Sequence, residues 1–268
     1  DWWENQPIDK GLSKGIQTFY PQTKLVGYLG YCPRQFELQL SPIKIESDFK
    51  YVPKTISVIG KKIKKKIIKF NNKQKVITAP AFRYSYLWSI KKINSNKKIN
   101  ILFALPVTEY DSYTIINMIP VSLINKKKIN IFIKPHPTMN KKVIEKYLNK
   151  GEKFSYKIVE GAIDKNLVKT DILVSSMSIT SLEALALGIP VINIHRNIGM
   201  SYNSIPQEIP KILWRHCSSQ KDVYDAIEYF TNKKVIQLIK RKKYGNNIKK
   251  NFFEPVNKKK VLNFINLK

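Results

Sequence analysis

A histidine held between two prolines at the end of an apolar run is the first place in this sequence where chemistry could occur. In Ile131-Phe132-Ile133-Lys134-Pro135-His136-Pro137 the apolar residues read as a buried strand, and the prolines restrict φ and fix the loop that follows. The imidazole and the Lys134 ammonium are thereby presented together, and a donating imidazole can bond a phosphate oxygen. The plainer alternative is a histidine that only caps its own loop.

A second segment invites the same ligand. Asp171-Ile172-Leu173-Val174-Ser175-Ser176-Met177-Ser178-Ile179-Thr180-Ser181-Leu182-Glu183 reads as a strand, a hydroxyl-rich turn and a helix start. Free N–H groups at a helix start, with the hydroxyls of Ser175, Ser176, Ser178 and Thr180 around them, form an anion site without a glycine-rich loop. Glu183, about a turn further on, could accept hydrogen bonds from ribose hydroxyls. Ordinary N-capping by Ser178, with Glu183 as a first-turn acid, is the alternative.

These residues need a scaffold that delivers both turns to one edge. From residue 99 onward short apolar runs alternate with helical patterns, which predicts a parallel sheet covered by helices, with its ligand edge at the strand C-termini. Strands are expected over 99–105, 129–133, 157–160, 171–175 and 191–194, and helices over 113–124, 141–149, 164–169 and 178–187. Gly188-Ile189-Pro190 supplies a helix stop. Upstream, strands over 24–28, 55–59 and 75–78 and a helix over 61–70 read as the tail of another α/β unit. The polar end of the segment 79–98 is the expected linker, and the aromatics Phe82, Tyr84, Tyr86 and Trp88 before it could stack on a sugar or pack a core. Helices over 222–230 and 234–240 follow. The expected domains are an incomplete N-terminal lobe over 1–90, a lobe over 99–240 that carries both polar turns and a Lys-rich helical tail over 241–268.

With 43% hydrophobic residues in 268 the chain can bury a sizeable core, despite a net charge of +29. That charge is almost all lysine and is shared with abundant Asn and Ile, a pattern that coding bias explains as well as a selected surface does. It therefore does not point to nucleic acid, although peripheral contact with an anionic membrane fits it. Two distant cysteines, Cys32 and Cys217, imply free thiols and a reducing compartment, hence a cytoplasmic location or the cytoplasmic face of the inner membrane. No metal site or cofactor is expected. The first residue is Asp1, and a motif-dense stretch begins at once, so the chain is expected to be a piece of a longer one.

The pairing of Lys134-Pro135-His136-Pro137 with Ser175-Ser176 and then Leu182-Glu183-Ala184-Leu185-Ala186-Leu187-Gly188-Ile189-Pro190-Val191-Ile192 resembles the donor lobe of GT-B glycosyltransferases of bacterial surface-polysaccharide synthesis. It is closest in style to the capsule-type, sialyltransferase and Kdo-transferase groups, and it covers residues 99–230. The resemblance implies two Rossmann-like lobes with parallel sheets and a CMP-sugar donor. His136, with Lys134 and Pro137 of its loop, would contact the donor phosphate; Ser175, Ser176 and Ser178, with Thr180, the phosphate or cytidine; and Glu183 the ribose. The acceptor would be a glycan or lipid-linked glycan. The segment Asp1-Trp2-Trp3-Glu4-Asn5-Gln6 and the segment Val26-Gly27-Tyr28-Leu29-Gly30-Tyr31 resemble uncharacterised surface-carbohydrate biosynthesis proteins.

An inverting transferase needs a carboxylate to take the acceptor proton. Glu4 or Asp9 could do so, with Glu109 and Asp111 as alternates, or all four could be solvated loop acids. The paired-acid-glycine signature that supplies this base in bacterial sialyltransferases is absent, and no Asp-x-Asp pair suggests a catalytic metal. Polyol-phosphate transfer from a CDP carrier, UDP-sugar epimerisation and a non-enzymatic basic binding lobe for nucleic acid or anionic lipid are the rival readings.

Overall fold

The computed structural model describes residues 2–34, 37–90, 98–122, 129–148, 154–196, 203–231 and 235–265. The chain forms two compact units, one of residues 1–89 with 248–268 and one of residues 90–247.

In the first unit β1 (Val26–Leu29), β2 (Thr55–Val58) and β3 (Lys75–Thr78) run parallel in that order. All four residues of β2, the middle strand, are buried, as expected for a parallel sheet covered on both faces. Helix α1 (Pro7–Phe19) was not anticipated from the sequence. Its start is fixed by Pro7 at the first position and by Asp9, whose Oδ2 accepts the N–H of Gln6 at 3.0 Å. After α2 (Lys44–Asp48) comes α3 (Lys61–Phe70), which buries Ile63 and Ile67 one turn apart beneath a lysine-rich outer face. Gly27 lets the fully buried Trp3 lie against β1, since a Cβ there would stand 3.0 Å from the tryptophan's own Cβ. The aromatic segment before α4 (Tyr86–Ser89) packs inward through Tyr84, 4.8 Å ring to ring from Phe253. Residues 91–97 of the expected linker lie outside the described residues.

The second unit carries six parallel strands: β4 (Ile99–Ala104), β5 (Ile129–Lys134), β6 (Tyr156–Ile158), β7 (Ile172–Ser175), β8 (Val191–Ile194) and β9 (Trp214–Cys217). Their order is β6-β5-β4-β7-β8-β9, which is 3-2-1-4-5-6 counted within the unit. This is the doubly wound Rossmann order, and its direction reverses between β4 and β7. The intervening helices are α5 (Glu109–Asn117), α6 (Lys141–Leu148), α7 (Ile163–Leu167) and α8 (Thr180–Ala186), followed after β9 by α9 (Gln220–Thr231). Helix α5 begins four residues earlier than the apolar pattern suggested, because Thr108 and the acids Glu109 and Asp111 make a favourable first turn.

Helix α8 ends as the Gly188-Ile189-Pro190 motif predicts. Gly188 adopts φ +74°, its N–H donates to the Leu185 carbonyl at 3.0 Å, and that of Ile189 donates to Ala184 at 2.9 Å. Those two bonds are a Schellman closure.

The expected separate tail over 241–268 is corrected by the structure. Helix α10 (Val235–Phe252) is already under way at residue 241, and the boundary between the units falls inside it. The chain then enters the first unit, where Glu254 donates its N–H to the Ile59 carbonyl and accepts that of Ala81, before α11 (Lys258–Ile265). Among the described residues no helix is long and apolar enough to cross a membrane. Cys32 and Cys217 are free thiols and buried.

Candidate functional site

The strand C-termini of the second unit gather most of the polar residues singled out in the sequence. At the end of β5 the Lys134 carbonyl accepts the Leu105 N–H at 2.9 Å and the Ile133 carbonyl accepts that of Val159, so the chain is clamped on both sides before it turns. Lys134 is only 8% exposed, and its ammonium makes no hydrogen bond among the described residues. Burial lowers its pKa below the ordinary lysine value, opposed by the charge of Glu160.

His136 sits in the tight turn that follows. Its carbonyl accepts the Met139 N–H, while Nδ1 lies 2.7 Å from Thr138 Oγ1 and 3.3 Å from the Thr138 N–H. Because an N–H can only donate, Nδ1 is the accepting nitrogen of the neutral ring. The proton then resides on Nε2, which becomes the ring's outward donor. Pro137 beside it is exposed.

Two strands away, β7 opens into the serine turn. Ser175 is fully buried and its Oγ lies 2.8 Å from Ser181 Oγ, so this hydroxyl ties the strand to α8. Ser176 is buried next to it, and Met177 adopts φ +46°, a left-handed conformation that side-chain-bearing residues seldom take. That residue turns the chain sharply, and α8 starts at Thr180 rather than at Ser178. Ser178 Oγ accepts the Thr180 N–H at 3.2 Å from one residue before the N-cap, which is Ile179 and has no side-chain cap, so Ser178 is not the N-cap foreseen as the alternative. Glu183 is buried within α8.

The remaining acids are placed differently from one another. Asp111 is deeply buried and meets Arg196 side-on, Nε to Oδ1 and Nη2 to Oδ2 both at 2.5 Å, with Thr108 Oγ1 donating to the same Oδ2. Burial alone would raise this carboxyl, but the bonds from Arg196 and Thr108 outweigh it and hold the pKa below the ordinary value. Glu109 is exposed and accepts from the Tyr147 hydroxyl.

In the first unit Asp9 Oδ2 accepts the N–H groups of Glu4 and Gln6, and Glu4 Oε1 accepts the Trp2 indole N–H at 2.6 Å. Asp9 therefore shapes a helix start, while Glu4 is half-buried at the edge of an aromatic ring.

Arg196 was not among the residues picked from sequence, although it stands two positions past β8, at the same edge as the others. Its neighbour His195 contacts His216 of β9, ring centroids 4.3 Å apart. His216 titrates below the usual histidine range because of burial and then the charges of His195 and Lys211.

No protein-family model matches the chain, and no curated protein matches it. Solved structures do. They include the S. aureus MnaA-UDP co-structure, with 15% identity over 94% of this chain and 70% of that one and a TM-score of 0.63. A UDP-N-acetylglucosamine 2-epimerase matches with 12% identity over 88% and 66% and a TM-score of 0.56. The Gap123 glycosylation-associated complex of Streptococcus agalactiae matches with 11% identity over 90% and 49% and a TM-score of 0.57. At these identities the likeness establishes the fold, an α/β GT-B-like arrangement of two Rossmann-like lobes with parallel sheets, as the sequence led one to expect.

Proposed function

We propose that this GT-B-like chain binds a nucleotide sugar at the C-terminal edge of its second sheet and transfers the sugar to a surface-polysaccharide acceptor, a glycan or lipid-linked glycan, with a CMP-sugar as the donor. One observation carries the reading. The Lys134 and His136 loop and the Ser176 to Ser178 turn flank β4 at the point where the strand order reverses, the place where doubly wound sheets bind ligands. The two loops leave strands two spacings apart, about 10 Å. They suit neighbouring groups of an extended nucleotide better than opposite sides of one phosphate.

Lys134, and Nε2–H of His136, would stabilise the departing phosphate in place of a metal, and Glu183 would take the ribose. For the acceptor proton we favour Glu4 over Asp9, whose Oδ2 already serves two amides. Peripheral contact with an anionic membrane, at the cytoplasmic face, belongs to the same proposal and draws on exposed lysines such as those of α3.

Epimerisation of a UDP-sugar is the second reading, favoured by the likeness to MnaA in its UDP co-structure and to the epimerase. Calorimetric titration with CMP, CDP, UDP and GDP separates the donors, and absence of binding by all four would remove the donor site altogether. Incubation with the matching nucleotide sugar then distinguishes release of free nucleotide, expected for transfer or donor hydrolysis, from appearance of an epimer. His136→Ala is expected to weaken nucleotide binding by about tenfold, the worth of one charge-assisted hydrogen bond, with little change in melting temperature.

A further inference from the structure

Asp111 and Arg196 come from opposite sides of the serine turn. Asp111 lies in the first turn of α5, after β4, and Arg196 follows β8, while β7 stands between those two strands. Their ion pair therefore joins the segments that follow the two strands flanking β7, the strand that leads into Ser176, Met177 and Ser178.

The two partners are unequally buried. The Asp111 side chain is 3% exposed and that of Arg196 28%, so the carboxylate is the anchor and the guanidinium the part that water reaches. The fork is also oriented, because Nε and Nη2 face Asp111 and the edge carrying Nη1 is turned away from it. A guanidinium held side-on by a carboxylate keeps its positive charge and its planar donor geometry, the two properties that bidentate phosphate recognition uses.

We propose that Arg196 is the phosphate-reading residue of the donor site and that Asp111 is a positioning residue which aims it, not the base that deprotonates the acceptor. The inference rests on the nucleotide-sugar reading above and names the group that recognises the phosphate within it. Arg196 supplies a cation beside the serine turn, Lys134 a second charge and His136 an N–H donor from the other side of β4, and Asp111 holds the orientation of Arg196.

The test is the gain in affinity that a phosphate confers, measured on the full chain by competition titration of cytidine against CMP and CDP, and of uridine against UMP and UDP. In the unmodified protein the nucleotides are expected to bind more tightly than their nucleosides. In Arg196→Gln that gain falls by at least about tenfold while nucleoside affinity stays, and in Asp111→Asn it falls by less, because the cation remains but is no longer aimed.

Arg196→Gln leaves a buried carboxylate without its partner and can fail to fold for that reason. The double variant Asp111→Asn/Arg196→Gln removes both charges, and Arg196→Lys keeps the pairing while losing the fork. Both are expected to melt near the unmodified protein and to have lost most of the gain. A folded double variant that retains the full phosphate gain overturns the inference and leaves the donor site standing. An unmodified protein that binds none of these nucleotides overturns both.

Discussion

Lys134 keeps a charge where little water reaches it, and that arrangement has a measurable sign. Burial disfavours its ammonium, so its folded pKa lies below that of an unfolded lysine, and it gives up its proton earlier as pH rises. A bound phosphate favours the charged form and reverses the shift. Nucleotide binding should therefore take up protons at alkaline pH, and affinity should decline as pH rises through the lowered value, before it reaches about 10.4, the ordinary lysine pKa. Titrations in two buffers of different ionisation enthalpy measure the uptake. Lys134→Met should abolish it, and unaltered uptake in that variant would place the titrating group elsewhere. At this scale the sequence was informative about types and less so about partners. His136 and Lys134 were legible from their prolines and strand, but Ser175 spends its hydroxyl on Ser181 and Asp111 spends its charge on Arg196. The first pairing depends on the sharp turn at Met177 between β7 and α8, and the second, 85 positions apart, on a strand order that no local pattern encodes.

The elements were legible where periodicity and punctuation agreed. Strand β8 and helix α3 have the expected ends, and the stop of α8 follows from its glycine and proline. Strand β9 escaped because Trp214-Arg215-His216-Cys217 is only four residues long and carries two polar residues between its buried ends, with no alternation. The start of α8 slipped by two residues because Met177 takes a conformation that side-chain-bearing residues usually avoid. Helix packing at the end of α8 yields a sharp expectation. Gly245 lies inside α10, where glycine ordinarily weakens a helix, yet a Cβ there would stand 2.7 Å from the Gly188 nitrogen and 2.9 Å from the Leu185 oxygen. Gly245→Ala should therefore destabilise the protein by about 1–3 kcal/mol, although alanine is the better helix former. Chemical denaturation measures it, and a stabilised variant would mean that the two helices can separate without loss.

For the whole molecule, the alternation of strands and helices predicted the architecture, and the strand orders and solved relatives agree with it. What the alternation could not reveal is that the first unit includes residues 248–268. The Lys- and Asn-rich composition of that segment hides the few residues that matter, among them Phe253, which is fully buried beside Tyr84. Phe253→Ala should cost about 3–5 kcal/mol, the usual range for a buried phenylalanine. Hydrogen exchange should show the loss in β1, β2 and β3 while protection persists in β4 through β9. Equal loss in both sheets would mean that the two units open as one.

That return of the chain sets an order of events during synthesis. Strands β1 to β3 leave the ribosome long before Phe252, Phe253 and Glu254, whose backbone fills the space beside Gly60 and bonds to Ile59 and Ala81. The six-stranded sheet can assemble as soon as its own residues emerge, whereas β1 to β3 must wait, unfinished, for residues made about 170 positions later.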